Sequence, residues 1–166
     1  MELAKQTGSH TTPDINIMMQ EMGGKARNAS VELACACDKV KVKALHSAAR
    51  LIRDESERIL AENRKDIAEA EAKGAEPAFV DRLLLDTSRV TAIADGLENV
   101  AALPDPIGEV MEDWTRPNGL NIKRVRVPLG VIGIIYESRP NVTIDAGGLC
   151  IKSGNAAILR GGSESY

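Results

Sequence analysis

Apolar positions along the first hundred residues recur at helical spacing. Residues 1–13 are polar, with Thr11-Thr12-Pro13, and read as a loose, flexible tail. Ile15, Met18, Met19 and Met22 then share one face, predicting a helix over about 15–36 with Asp14 as its cap. Gly23-Gly24 is a weak point where that helix is expected to bend or break. A second helix, with Asp38 as candidate cap, carries Val40, Val42, Leu45, Ala48, Ala49, Leu51 and Ile52. A third, Glu55–Lys73, sets Ile59, Leu60, Ile67 and Ala70 against a face of Glu, Arg and Lys, and Gly74 ends it. Shorter helices are predicted over Pro77–Leu85 and about Ser88–Ala102, the latter with Thr87 as candidate cap. Pro104 and Pro106 stop helix formation.

Beyond residue 107 the period changes to that of strands. Gly108–Arg116 and Leu120–Val127 flank Pro117-Asn118-Gly119, a strong hairpin signal. In the second arm Ile122, Arg124 and Arg126 face one way, and Lys123, Val125 and Val127 the other. One side of the ribbon is therefore expected to be basic and exposed, as a solvated strand face rather than an anion patch. A two-stranded ribbon is marginal alone and calls for another surface. Two short apolar runs follow, Gly130–Ile135 and Ala156–Leu159, separated by a helical segment at Thr143–Lys152. That pattern predicts parallel strands buried on both faces and joined by a right-handed crossover. Pro140 keeps Arg139 extended, Asn141 or Thr143 can cap the helix, Lys152 suits its last turn, and Gly154 can take the left-handed C′ position.

Composition changes this picture little. Of 166 residues 43% are apolar, enough for one ordinary domain, but only 2% are aromatic, so Ala, Val, Ile and Leu must fill the core. The net charge of −3 gives no call for a nucleic-acid or membrane partner. No run approaches the roughly 18 apolar residues of a membrane span. Three cysteines, an odd number without framework spacing, fit a reducing cytoplasm. Cys35-x-Cys37 could bind a metal, but with no second ligand pair nearby, packing on a helix face is the expectation, and no metal site is assigned. Cys150 reads as a buried structural thiol, and His10 and His46 as surface or satisfied residues. Glu57, Glu62, Asp66 and Glu69 read as a solvated face.

Candidate chemistry gathers where the two strands end. The first ends in Tyr136-Glu137-Ser138-Arg139, the second in Arg160-Gly161-Gly162-Ser163. Ligands of open parallel sheets bind beyond the carboxyl ends of the strands, and a base beside two glycines allows close approach of an anion. The glycines do not form the G-x-G-x-x-G turn. VPLGVIGIIYESRPNVT followed by LCIKSGNAAILRGGSES resembles the γ-glutamyl phosphate reductases, a branch of the aldehyde dehydrogenase superfamily. The likeness extends upstream through DRLLLDTSRVTAIADGLENVAALPDPIGEV.

That resemblance implies an α/β fold in four parts: the tail over 1–13, the helical part of a cofactor domain over 14–106, a hairpin oligomerisation element over 107–127, and the first βαβ of a Rossmann-like dinucleotide-binding sheet over 128–166. It implies NADPH-dependent reduction of L-glutamyl 5-phosphate to L-glutamate 5-semialdehyde in proline biosynthesis, through a cysteine thioester. None of Cys35, Cys37 and Cys150 matches the nucleophile's motif, so the resemblance covers only the amino-terminal part of such an enzyme, and the chain alone is expected to be inactive. By the same resemblance Tyr136, Glu137, Ser138, Arg160, Gly161 and Gly162 are candidate contacts to NADPH or NADP, with Arg160 on the 2′-phosphate. Asn141 is a candidate oxyanion donor, with a helix cap as its plain alternative. A homo-oligomer and association with the γ-glutamyl kinase of the pathway are also implied. The competing reading is a non-catalytic helical scaffold or oligomerisation module.

Overall fold

The computed structural model describes residues 14–137 and 139–162; the predicted tail with His10, and the predicted contact Ser138, lie outside the described residues. Helices α1 (Ile15–Cys35), α2 (Asp38–Asp54), α3 (Ser56–Ala72), α4 (Pro77–Leu83) and α5 (Thr87–Ala102) come first. Strands β1 (Val110–Thr115) and β2 (Asn121–Val125) form an antiparallel ribbon, and β3 (Val131–Ile135), α6 (Pro140–Lys152) and β4 (Ala156–Arg160) form a parallel βαβ unit. The chain is thus α/β.

Several helix ends follow their predicted chemistry. The Asp14 carboxylate accepts from Asn16 N at 2.9 Å and caps α1. Gly74, at φ +75°, closes α3: its N–H donates to Glu71 O, and that of Ala75 to Ala70 O. Gly154, at φ +70°, closes α6 in the same way, onto Ile151 O and Cys150 O. Both ends are Schellman motifs, which need a left-handed residue where glycine pays no Cβ penalty.

Other ends differ from expectation, each for a visible reason. α1 runs unbroken through Gly23-Gly24, because two glycines weaken a helix without removing its hydrogen bonds. Asp38 does not cap α2; Cys37 precedes the helix, and the Asp38 carboxylate is taken by Lys152 Nζ at 2.6 Å. Thr87 does not cap α5, since the Asp86 carboxylate accepts from Arg89 N at 2.7 Å. α4 stops at Leu83 rather than Leu85. The buried Asn63 side chain donates to Leu83 O at 2.9 Å and accepts from Leu85 N at 2.7 Å, which holds that turn out of the helix. α6 starts at Pro140, whose ring suits a first helical position, and neither Asn141 nor Thr143 caps it.

The core lies where α2, α5 and α6 meet, around Leu45, Ala49, Ala94, Leu97 and Ala101. Gly148 lets α6 approach, since a Cβ there would sit 2.7 Å from Leu97 Cδ2. Two buried lysines bind the layer at its edge. Lys41 holds the Asp105 carboxylate at 2.6–2.7 Å, and Lys152 joins Asp38 to the carbonyl of Ala101. Burial pushes the Asp105 carboxyl up, but hydrogen bonds from Lys41 and Ile107 N, with the charges of Lys41 and Lys152, hold it below its ordinary value.

The sheets correct two expectations. The ribbon is exposed on both sides, apart from half-buried Ile122, and neither side is basic. Lys123 lies 3.4 Å from Asp113, Arg124 3.5 Å from Glu112 and Arg126 3.3 Å from Glu109, so acids of the first arm offset the bases of the second. In the parallel pair only β4 is well covered, by α1 and α6. β3 alternates between exposed and half-buried residues, with Ile135 79% exposed, so it is not buried on both faces.

Candidate functional site at the carboxyl edge of the parallel strands

The parallel register pairs Val131 with Ala156 and ends with Ile135 opposite Arg160. Tyr136 N donates to Arg160 O at 3.1 Å, which carries the ladder one step further. The two strand ends therefore lie side by side. Glu137 is exposed, and Gly161 and Gly162 are half-buried beyond Arg160. The Arg160 guanidinium is exposed; its one hydrogen bond among the described residues is a 3.5 Å contact to the Gly161 carbonyl. Among the described residues neither a carboxylate nor the core restrains it.

Tyr136 contributes to this edge through its backbone. Its hydroxyl shares a 2.5 Å hydrogen bond with Thr143 Oγ1 on α6, and its ring lines a cavity of about 390 Å³ with Ile59, Leu83, Val90 and Ile144. Asn141 is not brought to Arg160. Its Nδ2 donates to Asp145 Oδ2 at 2.9 Å, one turn along α6.

Asn141 and Asp145 instead line a second cavity, of about 420 Å³, between the end of α4 and the starts of α5 and α6. Arg82, Arg89 and Arg139 share its wall. Sequence reasoning missed it, because nothing in the spacing of Arg82 and Arg89 brings them to Arg139. The only legible signal was Arg139-Pro140, a base held at a helix start just past a strand. Arg89 is committed to structure: it donates to the carbonyls of Asp81 and Leu84 at 2.5 and 2.8 Å and to the Asp81 carboxylate at 2.9 Å.

The remaining chemistry-bearing residues lie elsewhere. Cys150 is buried, and burial pushes its thiol pKa up, which disfavours the thiolate. Cys35 and Cys37 are exposed at the α1–α2 junction, not packed on a helix face, because the helix ends between them. His46 is exposed. On α3, Glu57, Glu62 and Glu69 are exposed, while Asp66 is half-buried and raised by burial, then by Glu62 and Glu69. Among the described residues no three His, Cys, Asp or Glu side chains gather as a metal site. None of the described helices is long and apolar enough to cross a membrane.

No family model matches the chain. A γ-glutamyl phosphate reductase of Parvibaculum lavamentivorans is 59% identical over 152 residues, covering 92% of this chain and 36% of that protein. One from Paramagnetospirillum magneticum is 56% identical over 156 residues, covering 94% and 37%. The crystal structure of the Thermotoga maritima γ-glutamyl phosphate reductase superposes with a TM-score of 0.86 at 44% identity, over 89% of this chain and 36% of that one. The Saccharomyces cerevisiae protein gives 0.84 at 33% identity, over 88% and 37%. The chain thus spans little more than a third of the length of these relatives.

Proposed function

The chain is kin to the γ-glutamyl phosphate reductases and matches their amino-terminal part, and from that premise we propose that it forms part of an NADPH-dependent reductase of proline biosynthesis. The reaction converts L-glutamyl 5-phosphate to L-glutamate 5-semialdehyde. A cysteine thiolate displaces phosphate from the acyl carbon; the thioester then accepts hydride, and the thiolate is released with the aldehyde. NADPH supplies that hydride. The nucleophile is none of the three cysteines here; the raised Cys150 pKa supports that reading for the buried thiol. The chain alone is therefore inactive.

One observation carries the proposal: β3 and β4 end side by side, with Tyr136 N on Arg160 O just past Ile135, and the Arg160 side chain is exposed there. The residues fit the coenzyme. Arg160 would hold the 2′-phosphate by a bidentate fork, Gly161 and Gly162 admit the backbone close to it, and Glu137 stands beside them. This is the opening βαβ of a Rossmann-like domain. The ribbon would pair with a partner subunit in a homo-oligomer, and by the same kinship the protein would associate with the γ-glutamyl kinase of the pathway. Free thiols and the absence of any disulfide framework support a cytoplasmic setting.

Thermal melting of the chain with NADPH, NADH, ATP and inorganic phosphate tests this. Selective stabilisation by NADPH, lost in Arg160→Ala, is expected; equal stabilisation by ATP or phosphate, or none at all, counts against it. Phosphate-dependent NADP⁺ reduction with glutamate semialdehyde should be undetectable. Turnover abolished by thiol alkylation would overturn the statement that the chain is inactive.

A further inference from the structure

We infer that the cavity between α4, α5 and α6 binds the α-amino-acid head of a glutamyl substrate, with Arg139 and Arg82 on its carboxylate and Asp145 on its ammonium. The identity of the substrate rests on the function proposed above; the charge pattern of the cavity does not.

The cavity holds about 420 Å³, room for an amino-acid head, and opens at the first turn of α6, where Arg139 and Pro140 follow the end of β3. Its charges sort into used and unused. Arg89 and Asp81 satisfy one another and the α4–α5 turn. Arg82 and Arg139 are exposed and have no carboxylate partner among the described residues. Asp145 is half-buried, and among the described residues its carboxylate accepts only from the neutral Asn141 amide, with no cation within 4 Å. A half-buried carboxylate without a cation lacks part of its compensation. An ammonium supplies it, while Arg82 and Arg139, which line the same cavity, suit a carboxylate. A ligand carrying both charges on one carbon meets both needs. A simple anion would meet only one, and would face the uncompensated charge of Asp145.

The test is titration of the isotope-labelled full chain, followed by amide chemical shifts, with L-glutamate, glutarate, 4-aminobutyrate and inorganic phosphate. L-Glutamate should give saturable shifts at residues 82, 92–93, 139 and 141–145. Glutarate, which lacks the ammonium, and 4-aminobutyrate, which lacks the α-carboxylate, should bind at least about tenfold more weakly. Arg139→Ala should lose L-glutamate and glutarate together. Asp145→Asn should weaken L-glutamate and leave glutarate unchanged. Arg82→Ala, an exposed position, gives a second variant should either of these melt early. Equal affinity for L-glutamate and glutarate overturns the assignment, as does the same shift pattern with phosphate, or no saturation up to about 50 mM. NADPH titrated into the same sample separates the two readings. A coenzyme response without a glutamate response rejects this subsite alone; the reverse rejects the coenzyme reading alone.

Discussion

Replacing Lys41 with methionine keeps the buried stem and removes the charge from its tip. The Lys41 side chain is 1% exposed and that of Asp105 20%. The substitution leaves a largely buried carboxylate with one remaining hydrogen-bond donor among the described residues, Ile107 N at 3.0 Å. Breaking a buried pair from one side costs about 3–5 kcal/mol. The surviving hydrogen bond and residual water contact bring the expected loss to about 2–4 kcal/mol, which lowers the melting temperature by roughly 5–15 °C for a domain of this size. The loss must also depend on pH. In the native chain the folded Asp105 carboxyl lies below its ordinary value. Its stabilisation is therefore present above the unfolded pKa of about 3.9 and is lost as pH falls through the folded value. Without Lys41, burial dominates and the folded pKa rises, so the penalty is full at neutral pH and shrinks as acid protonates the group. Urea denaturation followed by circular dichroism, at several pH values from neutral to about 4.5, measures both effects. Adding Asp105→Asn should recover more than half of the loss at neutral pH. A loss under about 1 kcal/mol, one that does not change with pH, or no recovery in the double variant would refute the reasoning.

Gly148→Ala should destabilise by about 1–2 kcal/mol despite the better helix propensity of alanine, because its Cβ meets Leu97 Cδ2 at 2.7 Å in the core; a gain in melting temperature would contradict that packing. Asn63→Leu should cost about 2–3 kcal/mol by leaving Leu83 O and Leu85 N unpaired, again by urea denaturation. Under native conditions a disulfide reagent should label Cys35 and Cys37 quickly and Cys150 only on unfolding.

Much of the fold was legible because it rests on local chemistry. The helical stripes, the Asp14 cap, Gly74 and Gly154 as left-handed C′ residues, and the Asn118-Gly119 turn are each set by neighbours a few residues apart. The misread ends depend on distant partners. Asp38 looks like a cap until Lys152, 114 residues on, takes its carboxylate. Leu84 and Leu85 continue an apolar pattern, yet Asn63 from another helix holds them extended. The second arm of the ribbon is basic by itself, while the offsetting acids sit on the first. At the site, the pairing of the strand ends could be read from the apolar runs. The α4–α6 cavity could not, since its arginines meet only through helix packing.

The single tryptophan, Trp114, sits in the ribbon opposite Ile122 and is 40% exposed. Tryptophan fluorescence of this protein, excited so that Tyr136 and Tyr166 stay dark, therefore reports the ribbon and not the helical interior. Emission and ellipticity will trace one unfolding curve only if ribbon and helices let go together. Where they diverge, the emission curve measures the stability of the ribbon apart from that of the helices.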